Sequence, residues 1–224
     1  MKILALETST EYCSVALWHD GAVSERCELV GQKHSEMLLA MLDALLLDAG
    51  LEIRDMDGIA FGKGPGSFTG VRIACGAAQG LALGANLEVV GVCTLEALAQ
   101  ASGRDKVIAA LDARMGEIYL AAYEKHEDAW TTVIAPRLCK AEDAPLLTDS
   151  AWYGVGSGFA VNGDVLQARY GEQLCAVDAQ VVPQAGAVAQ LAAIEFAKGN
   201  ALDAALALPL YLRDKVALKT CERV

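Results

Sequence analysis

Two carboxylates close the clearest apolar runs of the sequence. Lys2-Ile3-Leu4-Ala5-Leu6 runs into Glu7, and Lys106-Val107-Ile108-Ala109-Ala110-Leu111 runs into Asp112. Two acids at strand ends can share a magnesium ion, provided that glycine-rich turns beside them let backbone N–H groups approach phosphate oxygens. The turns do not comply. Thr8-Ser9-Thr10-Glu11-Tyr12 carries no glycine and adds a negative charge, and Ala113-Arg114-Met115-Gly116 has one glycine, late. Glu7 and Asp112 are read as ordinary strand-end acids, with nucleotide binding kept as the alternative. On that alternative, Tyr153-Gly154-Val155-Gly156-Ser157-Gly158 would be the adenine-side loop, although glycine clusters after strands are common turns.

Gly62-Lys63-Gly64-Pro65-Gly66-Ser67-Phe68-Thr69-Gly70 follows a strand and opens a helix, the context in which amides aim at an anion. It fails G-x-x-x-x-G-K-[ST], because Lys63 comes early and no Lys-Ser/Thr pair closes the loop. A tight strand-to-helix connection with Ser67 as N-cap is the preferred reading. His19, His34 and His126 show no H-x-x-x-H or H-E-x-x-H spacing. In His34-Ser35-Glu36 the side chains point to different faces of a helix, so a helix start capped by Ser35 is expected. Gly-Pro-Gly-Ser-Phe puts its serine one place late for a nucleophile elbow, and no nucleophile–base pair is legible. Neither a metal nor a cofactor is expected.

The elements that hold these residues read as β-β-β-α-β-α-β-α. Strands are expected at Lys2–Leu6, Cys13–Trp18, Val23–Leu29, Gly58–Phe61 and Glu88–Val92. Helices are expected from His34 to Asp48, stopped by Gly50, from Ser67 to Leu83, and from Thr94 to Ala101. After the polar stretch Ser102–Asp105 the opening pattern returns. Shifted by 105, Leu6-Glu7 falls on Leu111-Asp112 and Cys13–Ala16 on Ile118–Ala121, with a turn of equal length. The second half continues with a strand near Thr131–Pro136, a short helix near Ala141–Leu147, a strand at Trp152–Val155 and a helix at Gln184–Lys198, stopped by Gly199. The fold class expected is α/β: a duplicated, two-lobed arrangement of mixed sheets flanked by helices, the plan of the actin, hexokinase and sugar-kinase class. The lobes are expected at residues 1–103 and 104–224, with the tail from 207 packing back on the first.

The strongest physical signal lies in two helices. Ten of the eleven residues from Met37 to Leu47 are apolar, more than one sheet can bury. In the next helix Gly76, Gly80 and Gly84 recur every fourth residue, with Ile73, Ala77 and Gly70 on the same side. Each glycine inside a helix costs about 1 kcal/mol relative to alanine, and the usual return is close approach of another backbone. Either the glycines seat the helix on its own sheet, or the pair forms a docking face. The docking face is the preferred reading, and its residues are His34, Met37, Leu38, Met41, Leu45, Ile73, Gly76, Ala77, Gly80 and Gly84. It implies a homodimer or a heteromeric partner.

Composition sets the outer bounds. The 224 residues are 54% hydrophobic, enough to build a core, and carry a net charge of −11, which disfavours direct binding to RNA or an anionic membrane. No uncharged apolar run reaches the ~18 residues of a membrane span, and Glu7 interrupts the run that a signal peptide would need. Seven scattered cysteines, odd in number and without C-x-x-C, suit small buried thiols in a reducing compartment. A cytoplasmic location is expected.

Several segments together resemble the bacterial TsaB (YeaZ) family: Ile3–Thr10, Ser14–Leu17, His34-Ser35-Glu36, Gly64–Ile73, Asp112-Ala113-Arg114 and Pro209–Arg213. Glu7 departs from it, since the family usually has aspartate there. The resemblance implies an actin-like (ribonuclease H-like) fold without a working ATP site. It also implies an accessory, non-enzymatic role as obligate partner of the catalytic subunit TsaD, with the ATPase TsaE. The complex makes threonylcarbamoyladenosine at position 37 of tRNAs that read codons beginning with A. TsaD carries a histidine metal motif, where this chain has the lone His34. The helices matching Met37–Asp48 and Phe68–Leu83 would form a four-helix bundle with TsaD, or with a second copy in its absence, and tRNA would be reached through the partners. The family was long labelled a glycoprotease, but no protease site is legible.

Overall fold

Every residue of β1 (Lys2–Glu7) from Ile3 to Leu6 is apolar and buried. A strand covered by helices on both faces requires such a run. In the computed structural model, which describes residues 1–127 and 129–213, β1 is the centre of a five-stranded mixed sheet ordered β3-β2-β1-β4-β5. Its other members are β2 (Tyr12–His19), β3 (Ala22–Leu29), β4 (Gly58–Gly64) and β5 (Glu88–Cys93). The second sheet is ordered β10-β9-β6-β7-β8, from β6 (Lys106–Arg114), β7 (Glu117–His126), β8 (Ala129–Lys140), β9 (Trp152–Val155) and β10 (Leu174–Asp178). Adding five to each strand number of the first sheet generates the second, with the same parallel and antiparallel pairings. The duplicated α/β plan is present.

Helices α1 (His34–Ala49) and α2 (Phe68–Ala85) cover the outer face of the first sheet, packing Leu38, Met41, Leu42, Ala74 and Ala78 on Leu4 and Leu6. α1 ends at Gly50, whose left-handed φ of 64° lets its N–H reach the carbonyls of Leu46 and Leu47. α2 starts as expected, with Ser67 accepting from the Gly70 amide. The opposite face is covered from the far end of the chain by α5 (Ala185–Ala197), an alanine-rich helix that packs closely on Ile3, Ala5 and Ala16. The first sheet also caps this helix: Ser14 Oγ accepts from the Ala185 amide at 2.7 Å and Glu25 Oε1 from the Gly186 amide at 2.8 Å. α3 (Thr94–Ala101) crosses the other way and packs Leu95 and Leu98 on Val107, Ala109 and Leu111. α4 (Ser157–Tyr170) covers the outer face of the second sheet, with Phe159, Leu166 and Tyr170 against Ile108 and Ala110.

Four details differ from the sequence reading. The cap of α1 is Lys33, with no side-chain hydrogen bond, and Ser35 lies exposed inside the helix. A 3-10 turn, Ala141–Asp143, replaces the short helix expected over 141–147. The glycine cluster 153–158 is the end of β9 and the start of α4, and neither α4 nor β10 was expected. Finally, the offset of 105 is wrong by one on the first strand. Leu4 and Leu6 face the outer helices, as do Ile108 and Ala110, an offset of 104, whereas β2 maps on β7 with 105. A one-residue slip turns every side chain to the opposite face. Glu7 therefore corresponds to Leu111, and the second turn is only two residues long, with a register shift between Asp112 and Arg114.

The tail runs back along the first half. Ala207 O accepts from Gln79 Nε2 at 3.0 Å, the Leu210 amide donates to Lys63 O at 2.6 Å, and Arg72 Nε donates to the Tyr211 hydroxyl at 2.7 Å. Arg213 then reaches the second half, pairing with Glu117 at 2.7 Å. Residues 214–224 of the expected tail, including Cys221, lie outside the described residues.

Candidate functional site

Glu7 and Asp112 do not form a shared acidic site. The Glu7 carboxylate is buried, accepts from the Ser9 amide at 2.6 Å, and has no cationic partner among the described residues. Burial pushes its pKa up, against hydrogen bonds from Ser9, Thr8 and Thr94 that hold it down. A side chain at Gly62 would overlap this carboxylate. Asp112 instead organises its own turn, accepting from the Arg114 amide at 2.8 Å and pairing with the Arg114 guanidinium at 3.1 Å.

The glycine loop is equally committed to internal contacts. The Ser67 amide donates to Ser9 O at 2.7 Å, and Thr8 Oγ1 donates to Gly70 O at 2.7 Å. A Cβ at Gly66 would come within 2.6 Å of Ser9, and one at Gly70 would overlap Thr8 O. These glycines bring the start of α2 onto the first turn, and the Ser9, Ser67 and Gly70 amides that a phosphate would need are already bonded within the chain. The segment is the tight connection, not a phosphate cradle. His34 is buried with Nε2 3.2 Å from Tyr12 O, while His19 and His126 are exposed beside Asp20 and Glu124. Among the described residues no three His, Cys, Asp or Glu side chains converge as a ligand set.

Of the ten residues expected to face a partner on α1 and α2, some are exposed and some are buried. His34, Leu38, Met41 and Leu45 are each 5% exposed or less and packed inside the chain, which corrects their expected place on an outward face. The exposed apolar residues of α1 are instead ones outside that set: Leu39 (51% exposed), Ala40 and Leu47 (80%). With half-buried Met37 and Ala44, Ala40 and Leu47 form an apolar flank at positions 37, 40, 44 and 47, three and four residues apart. On α2, Ile73 and Ala77 are half-buried and Gly76, Gly80 and Gly84 exposed, beside Leu83 (65%). A Cβ built at any of these three glycines meets nothing within 4 Å. They do not seat the helix on its own sheet; Ala74, Cys75, Ala78 and Ala82 do that. Arg72 is the single charged residue of α2.

The model of the family described as TsaD, tRNA N6-adenosine threonylcarbamoyltransferase, matches residues 26–220. The tRNA threonylcarbamoyladenosine biosynthesis protein TsaB of Escherichia coli is 40% identical over 98% of this chain and 97% of its own length. The chain belongs to the TsaB family. The TsaB protein of Haemophilus influenzae is 36% identical over 98% of the chain and 96% of its own length. The solved structure of YeaZ from Pseudomonas aeruginosa superposes with a TM-score of 0.88 at 38% identity, covering 94% of this chain and 99% of that one. The two mixed sheets with their flanking helices are thus the TsaB form of the actin-like, two-lobed fold. No described helix is long and apolar enough to cross a membrane.

Proposed function

We propose that this chain acts in tRNA threonylcarbamoyladenosine biosynthesis as a non-catalytic platform, and that the exposed flank of α1 and α2 docks the transferase subunit TsaD. The observation that carries this is the row Gly76, Gly80 and Gly84, which faces open space. Together they cost the isolated helix about 3 kcal/mol relative to alanine and receive no contact from the chain itself. A smooth helix surface beside Met37, Ala40, Leu47, Ile73 and Ala77 lets a second helix pair approach to backbone distance. In the absence of TsaD the same flank pairs two copies of this chain. TsaE joins the complex, and tRNA is bound through the partners, in keeping with a net charge of −11.

The internal use of the first turn's amides and the unpaired burial of Glu7 support placing the chemistry in TsaD. On this reading residues 1–103, with α5 and the segment to Tyr211 packed on them, form the lobe that presents the docking flank, and the second sheet with α4 forms the lobe behind it. The free thiols of Cys13, Cys27, Cys75, Cys93, Cys139 and Cys175 suit a cytoplasmic location. Co-purification with TsaD and a tRNA modification assay test the reading. Gly80→Leu should keep the isolated chain folded, because its side chain has room, yet abolish the TsaD complex and the modification that depends on it. A Gly80→Leu chain that still binds TsaD and supports modification would overturn it.

A further inference from the structure

A second site lies away from both the docking flank and Glu7. A cavity of about 330 Å³ opens where the end of β5, the first residues of β8 and the last turns of α5 meet. That volume is at the lower end of the range for small-molecule pockets. Lys63 and Glu96 enter it from β4 and α3, and the Lys198–Glu195 pair, at 2.8 Å, stands beside them.

Lys63 and Glu96 carry opposite charges, line the same cavity and do not pair. Among the described residues neither ionised group has a hydrogen-bond or ion-pair partner of its own. Lys63 is held by its stem, which lies over Gly91; a Cβ there would sit 3.2 Å from Lys63 Cδ. Glu96 is half-buried, and its carboxyl is pushed up by burial and by Glu195, with Lys63 and Lys198 only partly offsetting this. A buried carboxylate in that condition gains from any cation brought to it.

One wall is rigid and apolar. Trp130 Nε1 donates to Gln100 Oε1 at 2.8 Å, and the ring packs edge-on against Tyr123 with centroids 6.3 Å apart. Leu191 and Ile194 continue the apolar surface. The Cys93 thiol, 3.6 Å from the Tyr123 hydroxyl, is pushed up by burial and so stays protonated and non-nucleophilic. The cavity is equipped to bind and not to form a covalent adduct.

We propose that this cavity binds a small zwitterion of the free α-amino acid class, its carboxylate on Lys63, its ammonium on Glu96 and its side chain against Trp130. A simple anion would leave Glu96 unpaired and a simple cation would leave Lys63 unpaired, whereas a zwitterion satisfies both. The two lysines and two glutamates of the lining sum to zero charge, which again suits a neutral dipolar ligand.

Saturation-transfer NMR on the full chain with an equimolar mixture of the proteinogenic L-amino acids identifies responders, which calorimetry then titrates. At least one should bind with a Kd below about 1 mM. Its decarboxylated amine and its deaminated acid should each bind at least tenfold more weakly. Lys63→Met and Glu96→Gln should each weaken binding at least tenfold with an unchanged melting temperature, since neither side chain holds an internal bond. Should Lys63→Met fail to fold, the near-isosteric Glu96→Gln decides alone. Absence of any responder, equal binding of the amine or the acid, or full affinity in the folded variants would overturn the assignment.

Discussion

Between β3 and β4 the first half inserts the sixteen residues of α1, whereas between β8 and β9 the second half has only the 3-10 turn Ala141–Asp143. The outer helices differ as well. α2 carries one charged residue and three exposed glycines, while α4 carries Asp164 and Arg169 and a non-helical Asn162 in its middle. The same strand plan therefore supports two outer surfaces: one two helices wide with a continuous apolar flank, the other a single interrupted helix on which exposed Val161 and Val165 alternate with Asp164 and Arg169. After a duplication the sheets keep their register because both faces are buried, and the outer layer is where the copies diverge.

The largest expected effect separates these two surfaces. Gly80→Leu on α2 should weaken TsaD binding at least about a hundredfold by calorimetry, while the isolated chain keeps its folded circular-dichroism spectrum and a cooperative unfolding transition. The matched change Gly163→Leu on α4, where a Cβ also meets nothing within 4 Å, should leave TsaD binding unchanged. Equal losses from both would erase the distinction between the halves.

A second contrast concerns the strand ends. Glu7 has a raised folded pKa, so the folded state holds that proton more tightly than the unfolded chain, and its effect on stability becomes unfavourable as the pH climbs from about 4.5 through the folded value. Glu7→Gln should remove that component. Urea titrations of parent and variant at pH 5 and pH 8 should show the variant gaining stability relative to the parent at the higher pH. Parallel profiles would show that Glu7 is not desolvated as its burial indicates.

Smaller effects address the helix that crosses between halves. Ser14→Ala and Glu25→Ala each remove an acceptor from the start of α5, and each should cost about 1 kcal/mol in chemical denaturation. The α4 start has no side-chain cap to lose. Least of all, Arg213→Ala breaks a partly exposed pair with Glu117 and should lower the melting temperature by no more than about 3 °C.

The strands of the first half were legible because continuous apolar runs between turn residues have few other solutions; Ile3–Leu6 and Ile59–Phe61 are examples. α4 was not, since Gly158, Asn162 and Gly163 interrupt any helical period and Gly154–Gly158 mimics a loop. β10 is an edge strand with exposed Cys175, Ala176 and Val177, so burial left no mark on its composition. The duplication was visible, but its register was not, because an irregularity between Asp112 and Arg114 absorbs one residue without a sequence signature. On the outer helices, the glycine row on α2 identified the outward side of that helix. α1 is apolar almost all round, so nothing in its sequence distinguishes Leu38 and Met41, which face the sheet, from Leu39 and Leu47, which face out. Lys63 and Glu96 lie 33 positions apart and are joined only by the cavity.

The position of α5 has a consequence for biosynthesis. Ile3, Ala5 and Ala16 stay uncovered until residues 185–197 arrive, so the first sheet cannot complete its core while the ribosome is still on the middle of the message. At roughly 5–20 residues per second, that leaves its inner face bare for about five to twenty seconds. During that interval a half-made chain exposes apolar surface of the kind that chaperones bind.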